Sequence, residues 1–207
     1  REIMSFTAVK DFEKEIAKFY GAPLAVATDC CTHGIELSLR LDKPTEKLIC
    51  PAQTYISIPM TFLKLGLEWE WDDSLWEDIC YIGNSRVIDA AVCFKENSYV
   101  PGSLMCLSFQ FQKHLSLGRG GAILCEDQAT YNDLKAMTLD GRHPDYYDWN
   151  VSWTDQDTKH VGYHYYMTPE IAMTGLDKLP EAIAREPIRK GSKDYPDLRN
   201  MTVFTNK

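Results

Sequence analysis

Apolar residues in this chain switch repeatedly between a helical and a strand period, and this alternation restricts the fold more than any other feature. Val9, Phe12, Ile16, Phe19 and Tyr20 recur at helical spacing as one apolar stripe, which Gly21 closes as a C′ residue. Leu24-Ala25-Val26-Ala27 reads as a buried strand. The small and polar run Thr28-Asp29-Cys30-Cys31-Thr32-His33-Gly34 then opens a second helix carrying Ile35 and Leu39. The pattern goes on with a strand over 47–50, a helix near 57–65 and a strand over 67–71. Strands over 86–90, 104–109 and 122–125 follow, then a helix near 128–139. Apolar strands alternating with helices imply an α/β domain of three layers, a mostly parallel sheet covered on both faces. From Gly141 the texture changes, with Trp149, Trp153 and a polar run through Lys159. One more helix is expected after Thr168-Pro169-Glu170, with Thr as N-cap and Pro at N1. The tail from Arg185 suggests no regular element. The organisation expected is an α/β domain over 1–145 and a reduced C-terminal segment over 146–207.

A chain of 207 residues with a 44% hydrophobic fraction can fill a core of that kind. The net charge of −8 argues against nucleic-acid binding, which needs Lys and Arg to release counterions from phosphates. No apolar run approaches the ~20 residues of a membrane helix. The start at Arg1 resembles no signal peptide and points to residues before it. Seven cysteines, none at CxxC spacing and most within apolar runs, read as reduced core residues of a cytoplasmic protein. The glycosylation patterns Asn150-Val151-Ser152 and Asn200-Met201-Thr202 are read as chance matches.

Ligands of open α/β sheets collect at the carboxyl ends of the strands, and three such ends carry unusual residues. Asp29 to Gly34 lie where a helix begins, so Thr32 and the backbone N–H groups suit a phosphate; an ordinary N-cap is the other reading. Asp89 ends the apolar strand Arg86-Val87-Ile88, either partnered in a site or bonded to the next turn. Lys113 follows Leu107-Ser108-Phe109 and precedes Gly118-Arg119-Gly120-Gly121. It is suited to imine chemistry if burial lowers its pKa, and is otherwise a solvated lysine beside turn-forming glycines. No GxGxxG or GxxxxGK[ST] motif is present. His160 and His164 share helical spacing but lack an evident third ligand, so no metal is expected.

Taken in order, these pieces resemble the DegT/DnrJ/EryC1/StrS family of pyridoxal-phosphate (PLP) sugar aminotransferases, from Phe12 to about Leu179. Asp29 to Ile35 stand in the slot of the family's SSGTAAL, and Cys50-Pro51-Ala52-Gln53-Thr54-Tyr55 is similar to its vPaxTf segment. Val87-Ile88-Asp89-Ala90-Ala91 is similar to viEDAA. The run from Leu107 through Lys113 to Ala122 follows fSFxxxKxlttGEGGa, and Gly162 to Thr168 resembles GYNYRMt. The departures are Cys31 for Gly, Val92 for Gln, Arg119 for Glu, His164 for Asn and Tyr166 for Arg. A shorter stretch lies between Trp71 and Val87, and little of a C-terminal small domain follows Leu179.

The resemblance implies a fold-type-I large domain and an aminotransferase acting on a keto sugar, nucleotide-linked, with an amino acid such as glutamate as donor. Lys113 would bond the cofactor and later carry the proton, while Asp89 would face the pyridine nitrogen. Cys31, Thr32, His33 and Ser108 would surround the phosphate, and Tyr55 would stack on the ring. His164 would reach a partner's cofactor, so the expected unit is a homodimer with shared active sites. The alternatives are a PLP enzyme of another type, such as a sugar dehydratase, or a non-catalytic homologue. A sister branch has His in the slot of Lys113, which favours amino transfer here.

Overall fold

Residues 6–142 and 158–205 are described by the structure, a computed structural model. Trp149, Trp153 and the pattern at Asn150 lie outside them. The elements run α1 (Thr7–Tyr20), β1 (Leu24–Thr28), α2 (Cys31–Asp42), β2 (Leu48–Pro51), α3 (Ser57–Leu65) and β3 (Trp69–Asp72). They continue with β4 (Cys80–Tyr81), β5 (Val87–Asp89), β6 (Leu104–Ser108), β7 (Gly121–Cys125), α4 (Gln128–Met137), α5 (Pro169–Ala184) and α6 (Thr202–Thr205). Every helix and strand read from periodicity is present, with ends displaced by a few residues. Gly21 closes α1 at φ 70°, and Pro169 opens α5 behind an extended Thr168, whose side chain makes no capping bond.

The three layers follow from the strands' alternating faces. Ala25 and Ala27 of β1, Met105 and Leu107 of β6, and Ala122 and Leu124 of β7 join the core under α1 and α5. Val26, Leu104, Cys106, Ile123 and Cys125 face the core under α2 and α4. Phe12 and Ile16 are fully buried, each stabilising the fold by about 1.5–3 kcal/mol. The first layer is also pinned through Glu13. Its Oε1 accepts from Lys135 Nζ at 2.6 Å and from the Ala27 N–H at 2.7 Å, and its Oε2 from the Tyr131 hydroxyl at 3.1 Å. This buried carboxylate joins α1, α4 and β1.

The sheet itself corrects an expectation: it is mixed, not mostly parallel. The five-stranded sheet has the order β1-β7-β6-β5-β4, and only β5 and β6 pair in parallel. β2 and β3 form a separate parallel pair. The physical reason lies partly in β4, which periodicity did not reveal. Residues 82–86 turn directly from β4 into β5, and so short a connection permits only antiparallel pairing, because a parallel crossover needs about a dozen residues or more. The same turn splices the two sheets. Ile49 N–H donates to Gly83 O at 3.1 Å and Gly83 N–H to Ile49 O at 2.9 Å. A Cβ on Gly83 would lie 2.6 Å from that of Ile49, so this approach requires glycine.

The tail, expected to be irregular, is only partly so. Residues 192–194 form a 3₁₀ turn and α6 follows. Leu198 and Phe204 are buried, and Phe204 packs edge-on to Trp69 and Trp71. No helix among the described residues is long and apolar enough to cross a membrane.

Candidate active site

The carboxyl ends of β1, β2, β5 and β6 open on one cavity of about 520 Å³, a size typical of small-molecule sites. Cys31, Thr32, Tyr55, Asp89, Ser108 and Lys113 all line it. The helix start at Cys31 is held there by close backbone approach. A Cβ on Gly121 would stand 2.6 Å from Cys30 C and Cys31 N, so glycine lets β7 seat the first turn of α2 against the cavity. Free N–H groups and the positive end of the helix dipole favour an anion at that point, and the Thr32 and Ser108 hydroxyls add donors.

Asp89, at the end of β5, is buried. Its Oδ1 accepts from the Ala91 N–H at 2.9 Å, as the turn reading had it, and lies 3.8 Å from Cys31 Sγ. Burial raises its pKa, while the Ala91 N–H, the Lys113 charge and the Cys31 thiol act the other way. Among the described residues no Lys or Arg comes within ion-pair distance of this carboxylate. The group best suited to complete it is a cation or a protonated ring nitrogen delivered by a ligand.

Lys113 stands on the loop between β6 and β7, which folds back on itself. Phe109 N–H donates to Gly120 O at 2.9 Å, Phe111 N–H to Gly118 O at 3.2 Å, and Lys113 N–H to Gln110 O at 2.8 Å. Next to it, His114 Nε2 lies 2.8 Å from Ala182 O and its ring packs on Phe94, so α5 holds the loop. Burial lowers the Lys113 pKa and the Asp89 charge opposes that shift. An amine whose pKa is lowered by burial, beside a buried acid, is suited to attack a carbonyl and carry a proton. Cys31 lies beside Asp89, its own thiol pKa pushed far up by burial and then by the Asp89 charge.

His33 and His164 are not brought into the cavity wall. The His33 ring stacks on Tyr165 at 3.7 Å between centroids, and its Nδ1 pairs with Asp29 at 2.7 Å. Arg119 Nη2 donates to the other oxygen of Asp29 at 2.6 Å. Asp29 and Arg119 are thus partners, and their pairing keeps the β7 turn beside the helix start. Asp29, Cys30 and His33 present ligand atoms within 4.8 Å of one another, though the Arg119 charge opposes a cation there. His164 pairs with Asp140 at 3.1 Å with 67% of its side chain exposed, and His160 pairs with Asp133 at 3.0 Å. These two histidines therefore point to different carboxylates.

Residues that sequence reasoning missed come from the tail: Arg185, Ile188, Lys190, Asp194 and Tyr195 also line the cavity. Tyr195 packs near Tyr55 and Trp76 at 6.3 and 5.4 Å between ring centroids. Burial, and then the Asp89 charge, push its hydroxyl pKa up to about 12. The only sequence sign of this was an isolated aromatic before Pro196 in an otherwise polar stretch.

The family model described as the DegT/DnrJ/EryC1/StrS aminotransferase family matches residues 2–80 and 99–190. Among solved structures, AtS13 from Actinomadura melliaura is 18% identical with a TM-score of 0.70, covering 87% of this chain and 61% of that one. The sugar aminotransferase CalS13 from Micromonospora echinospora is 18% identical with a TM-score of 0.67, over 86% and 61%. Spr1654 from Streptococcus pneumoniae in its PLP form is 17% identical with a TM-score of 0.69, over 86% and 60%. The chain thus spans about three fifths of the length of these proteins, with which it shares the fold. No curated protein sequence matches it significantly.

Proposed function

The chain belongs to the DegT/DnrJ/EryC1/StrS aminotransferase family, and from that premise we propose that it is a PLP-dependent aminotransferase. In this reading it moves an amino group from an amino acid, glutamate being the expected donor, to a nucleotide-linked keto sugar. The observation that carries the proposal is the convergence of Asp89 and Lys113 on one cavity beside the N-terminus of α2. The residues present fit the cofactor. Asp89 is a buried carboxylate awaiting a positive ring nitrogen, Tyr55 offers an exposed aromatic face, and Thr32 and Ser108 flank an anion-binding helix start. PLP, when bound, supplies an electron sink for the substrate's carbon. Asp89 would keep the ring nitrogen protonated, Lys113 would hold the cofactor and carry a proton on and off the substrate carbon, and the α2 terminus would hold the phosphate.

The proposal extends to a homodimer with shared sites. His164 and Tyr163 are exposed and stand outside the wall of their own cavity, which supports a role toward a second chain. Residues 1–145 are taken as the cofactor-binding unit, followed by the shorter segment 146–207. Seven free cysteines support a reducing, cytoplasmic setting. The test is the absorption spectrum of the purified protein with PLP, before and after glutamate. A protein-bound cofactor band that glutamate converts to the amino form is expected. No uptake of PLP overturns the reading, and uptake without conversion by any amino donor favours a non-catalytic homologue.

A further inference from the structure

One sector of the cavity is built by neither the strand ends nor the lysine loop. At Arg185 the backbone leaves α5 in an extended conformation, φ −99° and ψ 144°. The chain then runs along the cavity as a strap, fixed at several points. Arg185 Nη2 donates to His114 O at 3.0 Å, Asp78 N–H to Lys190 O at 2.8 Å, Ser192 N–H to Trp76 O at 3.0 Å, and Leu198 N–H to Ala52 O at 2.9 Å.

The strap's charges run against those of the molecule. The chain carries a net −8, yet the strap turns Arg185 and Lys190 toward the cavity. Arg185 has one exposed carboxylate near it, Glu181 at 3.9 Å. Among the described residues none lies within ion-pair distance of Lys190. Asp194, the acid of the strap that lines the cavity, accepts from the Gly191 N–H at 2.8 Å. Lys190 is close enough to Lys113 to help depress its pKa. A cation held near another by an anchored backbone is repelled until an anion joins them.

We propose that Arg185 and Lys190 form an oxyanion subsite that recognises a carboxylate or phosphate group of the substrate, remote from the atoms that react at Lys113. The word substrate rests on the aminotransferase reading; the anion subsite itself does not. The oxyanion belongs either to the distal carboxylate of the amino donor or to a phosphate of the acceptor, and two unreactive probes separate these sources. Glutarate and pyrophosphate are titrated calorimetrically into the PLP-loaded protein, into Arg185→Gln/Lys190→Gln, and into Arg189→Gln/Lys193→Gln. The last variant removes the same charge from strap residues that do not line the cavity.

At least one probe is expected to bind the wild type in a salt-sensitive manner, roughly tenfold more weakly the first variant, and the control variant as it does the wild type. Loss confined to glutarate assigns the donor, and loss confined to pyrophosphate the acceptor. Equal affinities in all three proteins, an equal loss in the control, or no binding of either probe to the wild type overturns the subsite. If the protein takes up no PLP, the aminotransferase reading fails by itself, and the same titrations on the unloaded chain still decide the subsite.

Discussion

Asp89 and Lys113 are both displaced from their protonation behaviour in water, and burial is the leading cause for each. If Lys113 anchors the cofactor, borohydride reduction of the PLP-loaded protein followed by peptide mass spectrometry places the pyridoxyl group on Lys113. Label on another lysine sinks that assignment. Asp89→Ala is expected to retain some PLP and to lose turnover by at least about a hundredfold, roughly 3 kcal/mol, as when one electrostatic partner of a reaction is removed. Near-normal turnover would make Asp89 structural. His33 yields a prediction in pH. Burial acts to lower its pKa, but the hydrogen bonds to Asp29 and Cys30 and their charges prevail and raise it to about 9. Its folded pKa lies above the unfolded value of about 6.5, so the stabilisation is fully present below that pH and is lost as pH rises through 9. The melting temperature of the wild type should carry this downward component between about pH 6.5 and 9, and His33→Gln should lack it. Identical slopes in the two proteins would remove His33 from the linkage.

Among the elements, α1, α4 and β1 depend on one another through the buried Glu13–Lys135 pair, whose side chains are 4% and 1% exposed. Such a pair adds little over an apolar replacement, but breaking it leaves a charge uncompensated. Lys135→Ala is therefore expected to cost about 3–5 kcal/mol in denaturant unfolding. Glu13→Gln/Lys135→Met should recover most of the loss, because the Gln oxygen can still accept from the Ala27 N–H while no charge is buried. A double variant as unstable as the single one would mean that packing, not charge, dominates. The β4–β5 hairpin shows the same economy of contact: the reciprocal bonds between Ile49 and Gly83 join two sheets. Gly83→Val should loosen that junction through its clash with Ile49, detectable as faster amide exchange at Ile49.

At the scale of the whole molecule, the shared-site homodimer makes a prediction that a self-contained monomer cannot satisfy. A two-fold dimer places the segment Tyr163 to Tyr166 symmetrically, so that each chain completes the other's cavity. A Lys113→Ala chain is mixed with a His164→Ala/Tyr166→Ala chain and the hybrids are isolated. Hybrids with one intact site should recover activity that neither parent shows. Inactive hybrids, or a fully active monomer in sedimentation, would refute the shared site.

The apolar periods alone determined the order of helices and strands other than β4 and α6, and the presence of helices on both sheet faces, since local propensity and burial act residue by residue. They also marked Thr32, Asp89 and Lys113, because polar residues at the ends of apolar strands stand out, while Tyr55 and Ser108 came from the resemblance to the family; all five converge on one cavity. Strand direction did not show in the sequence, for period two is the same in parallel and antiparallel pairs; the short turn over 82–86 decided it for β4 and β5, and the tertiary pairing of β7 with β1 and β6 for the rest. Nor did the place of His33, whose ring goes to Tyr165, a residue far away in the chain. The strap was the least legible. Arg185, Lys190 and Tyr195 follow no period, and they line the cavity because backbone bonds to Trp76, Asp78 and Ala52 hold an irregular segment across it. Such bonds depend on which chains meet in space, and only the tertiary structure brings them together.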